Sequence, residues 1–320
     1  LNEFELIREF FTRRSAGRDD VVVGIGDDAA VCSVPEGKEL VITTDMLVAG
    51  VHFPDATPAH AIGYKALAVN LSDLAAMGAT PAWFTLNLSL PESNESWLQE
   101  FSSGLKELAE QNGIELVGGD TVKGPLSIGI QACGLLPSGS AILRSGASPG
   151  DHIFVTGNLG DAALGLLSET GELDLGDAAQ QYCSRRLHYP TPRTVQGIHL
   201  HGIASAMIDI SDGLVADLGH MLEAGGVGAT IQLSALPLSS AYQEHTRQVG
   251  WDPALSNGDD YELCFTVSEK DIDWLMQVAS GWDCGVTEVG VIEKENGLRI
   301  VEPAGSAYAI HQSGYSHFKK

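Results

Sequence analysis

Five short motifs set carboxylates beside glycine or hydroxyl residues: Gly26-Asp27-Asp28, Thr43-Thr44-Asp45, Gly118-Gly119-Asp120-Thr121, Asp209-Ile210-Ser211-Asp212-Gly213 and Gly258-Asp259-Asp260. Each ends or follows an apolar stretch that reads as a strand. Its carboxylate is therefore expected at the strand's C-terminal end, where ligands gather in sheets with crossover helices. Asp73 differs: it lies inside the Ala- and Leu-rich stretch 59–78, with Ala66, Val69, Ala76 and Met77 on or near its helical face. A carboxylate buried there without a partner is costly, so it must face a partner, a metal or water. Any one motif is also ordinary turn chemistry, and Ser211 or Asp212 could simply cap the helix that follows. Taken together they point to a shared cation site. Carboxylates ~4 Å apart repel by about 4 kcal/mol per pair at an effective dielectric of ~20, so a cluster makes sense when cations neutralise it. Short oxygen ligands without a Cys/His set favour Mg²⁺ or a similar hard ion, and metals bridging an anionic ligand suggest phosphates.

The elements that must position these groups alternate in type. Residues 3–14 place Phe4, Ile7, Phe10 and Phe11 at helical spacing. Strands are expected at 21–25, 39–45, 83–91, 115–120 and 126–136, with ELVGGD running into a glycine turn; helices are expected at 59–78 and 95–112. The Pro-, Gly- and Ser-rich segment 137–150 reads as a junction between a domain 1–137 and a domain 138–320. Beyond it, strands are expected near 152–157, 205–209, 228–233, 261–267 and 286–292, and helices near 160–170, 192–202 and 213–224. Mixed strands and helices in both halves give an α/β or α+β class with two domains.

Composition narrows the chemistry. With 42 acidic and 18 basic side chains among 320 residues the net charge is −24, which argues against nucleic-acid and anionic-membrane partners. No stretch approaches the roughly 18 unbroken apolar residues of a membrane span. The first residues, Leu1 to Glu5, are acidic where a signal peptide would be basic, and a cytoplasmic location is expected. The five cysteines are scattered and none forms C-x-x-C, so they are expected as reduced core thiols. The nucleotide-binding G-x-x-x-x-G-K-[ST] and G-x-G-x-x-G loops, the protein-kinase signatures and EF-hand spacing are all absent.

The motifs in this order resemble the thiamine-monophosphate kinase family. The resemblance runs through GIGDDAAV (24–31), TTDMLVAGVHF (43–53), YKALAVNLSDLAAMGATPAW (64–83), GGDT (118–121), RSGASPGD (144–151), IDISDGLVADLGH (208–220), GDDYEL (258–263) and GYSHF (314–318). It implies ATP-dependent phosphorylation of thiamine monophosphate to thiamine diphosphate by direct in-line transfer with several Mg²⁺ ions, the last step of thiamine diphosphate biosynthesis. It implies the two-domain fold of aminoimidazole ribonucleotide synthetase, with N-terminal ATP- and metal-binding domains whose sheets join into a barrel across a homodimer. By matched position, Asp28, Thr43, Thr44, Asp45, Asp73, Asp120, Asp209 and Asp212 resemble metal ligands. Gly119, Asp120, Arg144 and Ser211 resemble ATP-site residues, and His52, Asp259 and Tyr315 fall where the family contacts the thiamine phosphate. Asp45, Asp120, Arg144 and Asp212 are then the expected catalytic residues. Asp259 stands where the family commonly has Glu, one methylene longer. An aromatic at Tyr315 suits stacking on a thiamine ring. Two other readings remain beside this one. Another enzyme of the same superfamily would use ATP to activate a carbonyl; a selenophosphate synthetase wants a Cys before Cys32, and a carbamoyl dehydratase wants one at the C-terminus, and neither is present. The other is an acidic cation-binding protein.

Overall fold

The structure, a computed structural model, describes residues 3–12, 17–310 and 314–315. Two compact units are formed by residues 1–74 with 79–139, and by residues 75–78 with 140–320.

The first unit opens with helix α1 (Glu3–Leu6), which widens into a π-helical turn, Ile7–Phe11. Phe10 and Phe11 are buried as their spacing requires, but the helix stops at Phe11 and Thr12 is extended. The expected last residues, 13–14, lie outside the described residues. A small antiparallel pair, β1 (Val21–Val23) and β2 (Val31–Cys32), precedes β3 (Lys38–Val48), α2 (Ala59–Ala76), β4 (Thr80–Leu90), α3 (Glu95–Asn112), β5 (Glu115–Lys123) and β6 (Ser127–Pro137). The sheet order is β3-β6-β4-β5, with β4 and β5 parallel and the other pairs antiparallel. Helix α3 matches the sequence reading because both ends are marked. Asn94 Oδ1 accepts the Trp97 N–H at 3.1 Å, and Gly113 closes the helix at φ 61°.

Two expectations change here. ELVGGD does not run into a turn: Gly118 and Gly119 continue β5, with a bulge between Phe84 and Thr85 of β4. Asp45 and Asp120 stand inside their strands rather than at C-terminal ends. Among the described residues the four-stranded sheet is open, with β3 and β5 at its edges.

In the second unit the chain runs β7 (His152–Thr156), α4 (Asp161–Glu169), α5 (Asp177–His188), α6 (Thr194–His199), β8 (Ala204–Ile210), α7 (Leu214–Gly225) and β9 (Gly228–Gln232). It continues through α8 (Ser240–Val249), α9 (Asp252–Ser256), β10 (Glu262–Val267), α10 (Ile272–Ala279), β11 (Val286–Glu293) and β12 (Gly297–Val301). The sheet order is β12-β9-β11-β7-β10-β8, antiparallel except for β12 with β9. Both faces of the central strands are covered. Ile153, Val155, Ile208, Ile210 and Cys264 pack with Leu214, Leu218 and Met221 of α7. Phe154, Met207, Leu263 and Phe265 pack with Leu275 of α10. Double coverage is why these strands read as unbroken apolar runs rather than alternating ones. No described helix is long and apolar enough to cross a membrane, and all five cysteines are free thiols.

Candidate active site

In the first unit the sheet register decides which carboxylates meet. Successive residues of β3 face opposite sides. Thr43, Asp45 and Leu47 pair with Ala132, Ile130 and Ile128, all buried, while Ile42, Thr44 and Met46 face the exposed side. On the covered side the Thr43 hydroxyl donates to Asp73 Oδ2 of α2. The helix-interior carboxylate thus finds a protein partner, as its cost demanded. Thr44 faces the opposite side, where its Oγ1 donates to the Ile130 carbonyl at 3.1 Å. Asp120 is also on the other side, because it pairs with Asn87, which pairs with Gly129, which pairs with Met46. Gly119 before it has φ 145°, and an added Cβ would come within 1.8 Å of the Leu86 carbonyl oxygen, so only glycine lets β5 lie this close to β4. Asp120 Oδ1 accepts the Thr121 N–H at 2.9 Å. Asp28 is exposed in the loop after β1, and its N–H donates to Asp27 Oδ1 at 2.8 Å. His52 sits in the turn after β3, where its Nδ1 accepts the Val48 N–H at 2.9 Å.

Among the described residues no three His, Cys, Asp or Glu side chains stand together as a metal site. Thr43 and Asp73 are in contact, and Asp45 lies on the same face of β3 as Thr43. Asn70 lies one turn before Asp73 on α2; it is fully buried, and its Oδ1 has no hydrogen-bond partner. Hard oxygens in small number fit Mg²⁺, which binds through one or two carboxylates plus phosphates and water.

In the second unit the end of β8 gathers the expected residues. Asp209, 3% exposed, pairs across to Leu263 of β10. Ser211 and Asp212 do not cap α7; the N-cap is Gly213 and it makes no side-chain capping bond. Asp217, in the first turn of α7, takes that role with one oxygen: Oδ2 accepts the N–H groups of Ser211, Asp212 and Gly213 at 3.0, 3.0 and 3.1 Å. Burial pushes the Asp217 carboxyl up to about 7, with the Asp212 charge adding to the rise and the three donors opposing it. The Asp259 N–H donates to the Ser211 carbonyl at 2.9 Å, and the Tyr315 N–H donates to that of Asp212 at 3.2 Å. Tyr315 is half exposed; residues 316–318 of its motif lie outside the described residues. Arg144 is exposed in a short 3₁₀ turn, Arg144–Gly146, packed on α7 and β8.

The Asp259 segment is strained. Asp259 and Tyr261 have φ 71° and 50°, a left-handed backbone that costs about 1–3 kcal/mol per non-glycine residue and collects at functional sites. The Tyr261 hydroxyl donates to Asp259 Oδ1 at 3.0 Å. Behind it, Asp260 is buried with both carboxylate oxygens on the Gly160 N–H, at 3.0 and 2.9 Å, and burial holds it well above the usual carboxylate range. The role of Asp217 escapes sequence reasoning, and so do the contacts of Asp260 and Tyr261, which the GDDYEL motif contains without assigning them. A faint signal existed for Asp217: an acid in the first turn of a helix.

Comparison with known proteins places this geometry. Residues 26–136 match the model of the AIR synthase related protein N-terminal domain, and residues 148–302 match that of its C-terminal domain. The chain is 47% identical to a thiamine-monophosphate kinase of Salmonella typhimurium strain LT2, over 99% of this chain and 98% of that one. It is 36% identical to the Bacillus subtilis thiamine-monophosphate kinase over the full length of both. Among solved structures it is similar to the thiamine-monophosphate kinase of Stenotrophomonas maltophilia K279a, with 46% identity and a TM-score of 0.83, covering 88% of this chain and 92% of that one. It is also similar to AaThiL complexed with AMPPCP and TMP, with 34% identity, a TM-score of 0.78 and 92% of each chain covered.

Proposed function

The chain belongs to the thiamine-monophosphate kinase family, and we infer that it transfers the γ-phosphoryl group of ATP to thiamine monophosphate, giving thiamine diphosphate and ADP. The observation that carries this reading is the docking of Asp259 and Tyr315 on the turn that bears Ser211 and Asp212. It puts a carboxylate and an aromatic ring, suited to a thiamine phosphate, beside residues suited to nucleotide and cation.

The acceptor is already a phosphate monoester and anionic, so transfer needs positioning and charge screening rather than a strong base. A covalent relay lacks a nucleophile among the thiols: burial raises the pKa of Cys32, Cys133, Cys183, Cys264 and Cys284 alike, so none is a ready thiolate. Asp28, Thr43, Thr44, Asp45, Asp73 and Asp120, and in the second unit Asp209 and Asp212, are the residues we assign to hold Mg²⁺. Bound there, Mg²⁺ neutralises the phosphate oxygens that acidic side chains cannot approach directly. Gly119, Asp120, Arg144 and Ser211 bind ATP in this reading, with the Arg144 guanidinium on the phosphates. His52, Asp259 and Tyr315 hold the thiamine phosphate. A homodimer is supported by the exposed face of β3, where Leu40, Ile42 and Met46 are 41%, 56% and 60% exposed. A second copy on this face, two open sheets closing into a barrel, is the arrangement the resemblance implies.

Two experiments test the reaction. With ATP, Mg²⁺ and thiamine monophosphate, thiamine diphosphate and ADP should form in equal amounts. A γ-phosphorus made chiral with oxygen isotopes should invert. Retention, the mark of two successive displacements, would overturn direct transfer, and robust phosphorylation of free thiamine would overturn the acceptor assignment. For the metal, Mg²⁺ plus a non-hydrolysable ATP analogue should raise the melting temperature by mass action, by about 2.7 kcal/mol of stabilisation at a hundredfold excess over Kd. The analogue with a chelator should raise it far less, and an equal rise would remove the bridging cation.

A further inference from the structure

We propose that Asp217 is a positioning residue that aims three consecutive carbonyls at the segments carrying Asp259 and Tyr315. Its carboxylate, 3% exposed, accepts the N–H groups of Ser211, Asp212 and Gly213 on the single oxygen Oδ2. A trans peptide points its N–H and the preceding C=O in opposite directions, so three inward N–H groups mean three outward carbonyls. All three are used. Ile210 accepts the Tyr261 N–H at 2.8 Å, Ser211 accepts the Asp259 N–H at 2.9 Å, and Asp212 accepts the Tyr315 N–H at 3.2 Å. Gly258 belongs to the same docking, since a Cβ there would come within 2.0 Å of the Ser211 carbonyl oxygen. One buried oxygen thus fixes the turn from inside, and the turn fixes two separate stretches of chain from outside. Without it, one buried and two partly buried N–H groups lose their acceptor, and the peptides are free to rotate.

The consequence for the reaction rests on the thiamine-phosphate reading of Asp259 and Tyr315; the structural part does not. The test is amide hydrogen exchange at Tyr261, Asp259 and Tyr315, with Cys264 and Phe265 inside β10 as controls, alongside steady-state kinetics. In Asp217→Ala the three amides should exchange about tenfold faster or more while the controls hold, the signature of local rather than global opening. The KM for thiamine monophosphate should rise about tenfold, the scale of one lost buried hydrogen bond. Asp217→Asn keeps a carbonyl oxygen able to accept the same donors, and should restore exchange and KM to within about threefold of wild type. Wild-type exchange at the three amides in folded Asp217→Ala, or fast exchange in Asp217→Asn, would overturn the proposal. If the alanine variant fails to fold, Asp217→Ser, whose hydroxyl is too short to reach the turn, carries the same comparison. A wild-type protein that makes no thiamine diphosphate would overturn the reaction and leave the exchange result standing.

Discussion

Asp45→Asn and Asp120→Asn should each lower thiamine diphosphate formation by about 10²-fold or more at saturating ATP and Mg²⁺, the scale of losing one key electrostatic stabiliser of a transition state. Both variants should melt within a few degrees of wild type. The amide keeps the shape and one acceptor oxygen of each carboxylate, and it removes a charge from a chain of net charge −24. The two carboxylates act from opposite faces of the four-stranded sheet, Asp45 on the side of Asp73 and Asp120 on the side of Asn87. Their losses should therefore differ in kind. Asp45→Asn should raise the Mg²⁺ concentration for half-maximal rate, because the Asp45 side holds the group of hard donors. Asp120→Asn, beside Gly119, should raise the KM for ATP in addition to lowering the rate at saturation. The assay is product formation across Mg²⁺ and ATP titrations. Near-wild-type turnover in both variants would return the two residues to structural roles.

That contrast marks how far the sequence could be read. Residue types were enough to pick out the carboxylates that stand beside glycine and hydroxyl residues. Their grouping was not available, since it depends on strand register. Thr43 and Thr44 are adjacent in sequence, yet one reaches Asp73 and the other reaches the Ile130 carbonyl on the far side. Gly118-Gly119 reads as a turn from composition and is a strand in fact, because pairing with Thr85 and Leu86 of β4 overrides the local preference. Two helices were legible to within two residues, α3 by its periodicity and marked ends and α2 by its long Ala- and Leu-rich run. Helix α5, with the polar sequence DAAQQYCSRRLH, and the short α8, α9, α10 and β12 were not. They are short or polar, and packing against the rest of the unit forms them. Asp217 is the clearest case. Its importance lies in three backbone N–H groups, and backbone direction leaves no trace in residue type.

Glu262→Ala should destabilise the protein by about 3–5 kcal/mol, the cost of removing one partner from a buried ion pair. Glu262 is fully buried at the start of β10, and its carboxylate accepts four side-chain hydrogen bonds. Arg193 donates from Nε and Nη2, both at 2.6 Å; Arg186 Nη2 donates at 2.8 Å and Thr156 Oγ1 at 2.7 Å. Burial works against the Arg193 charge, but the bond to Glu262 and its negative charge outweigh burial and hold the guanidinium above its usual pKa. The alanine variant keeps that guanidinium buried without its counter-charge. Against a total stability of about 5–15 kcal/mol the loss is large enough to read in a urea titration. Glu262→Leu combined with Arg193→Met should recover much of it, since an apolar pair of similar volume avoids the desolvation of both charges. The stability lost is not the whole effect. Arg186 also donates to the Asp260 carbonyl at 3.3 Å, and Asp260 follows Asp259 directly. The recovered double variant should therefore stay folded and still bind thiamine monophosphate less tightly, because Arg186 has lost the carboxylate that holds it against the strained segment. A loss below about 1 kcal/mol in Glu262→Ala would mean that water reaches the two arginines, and the buried pair would then carry neither role.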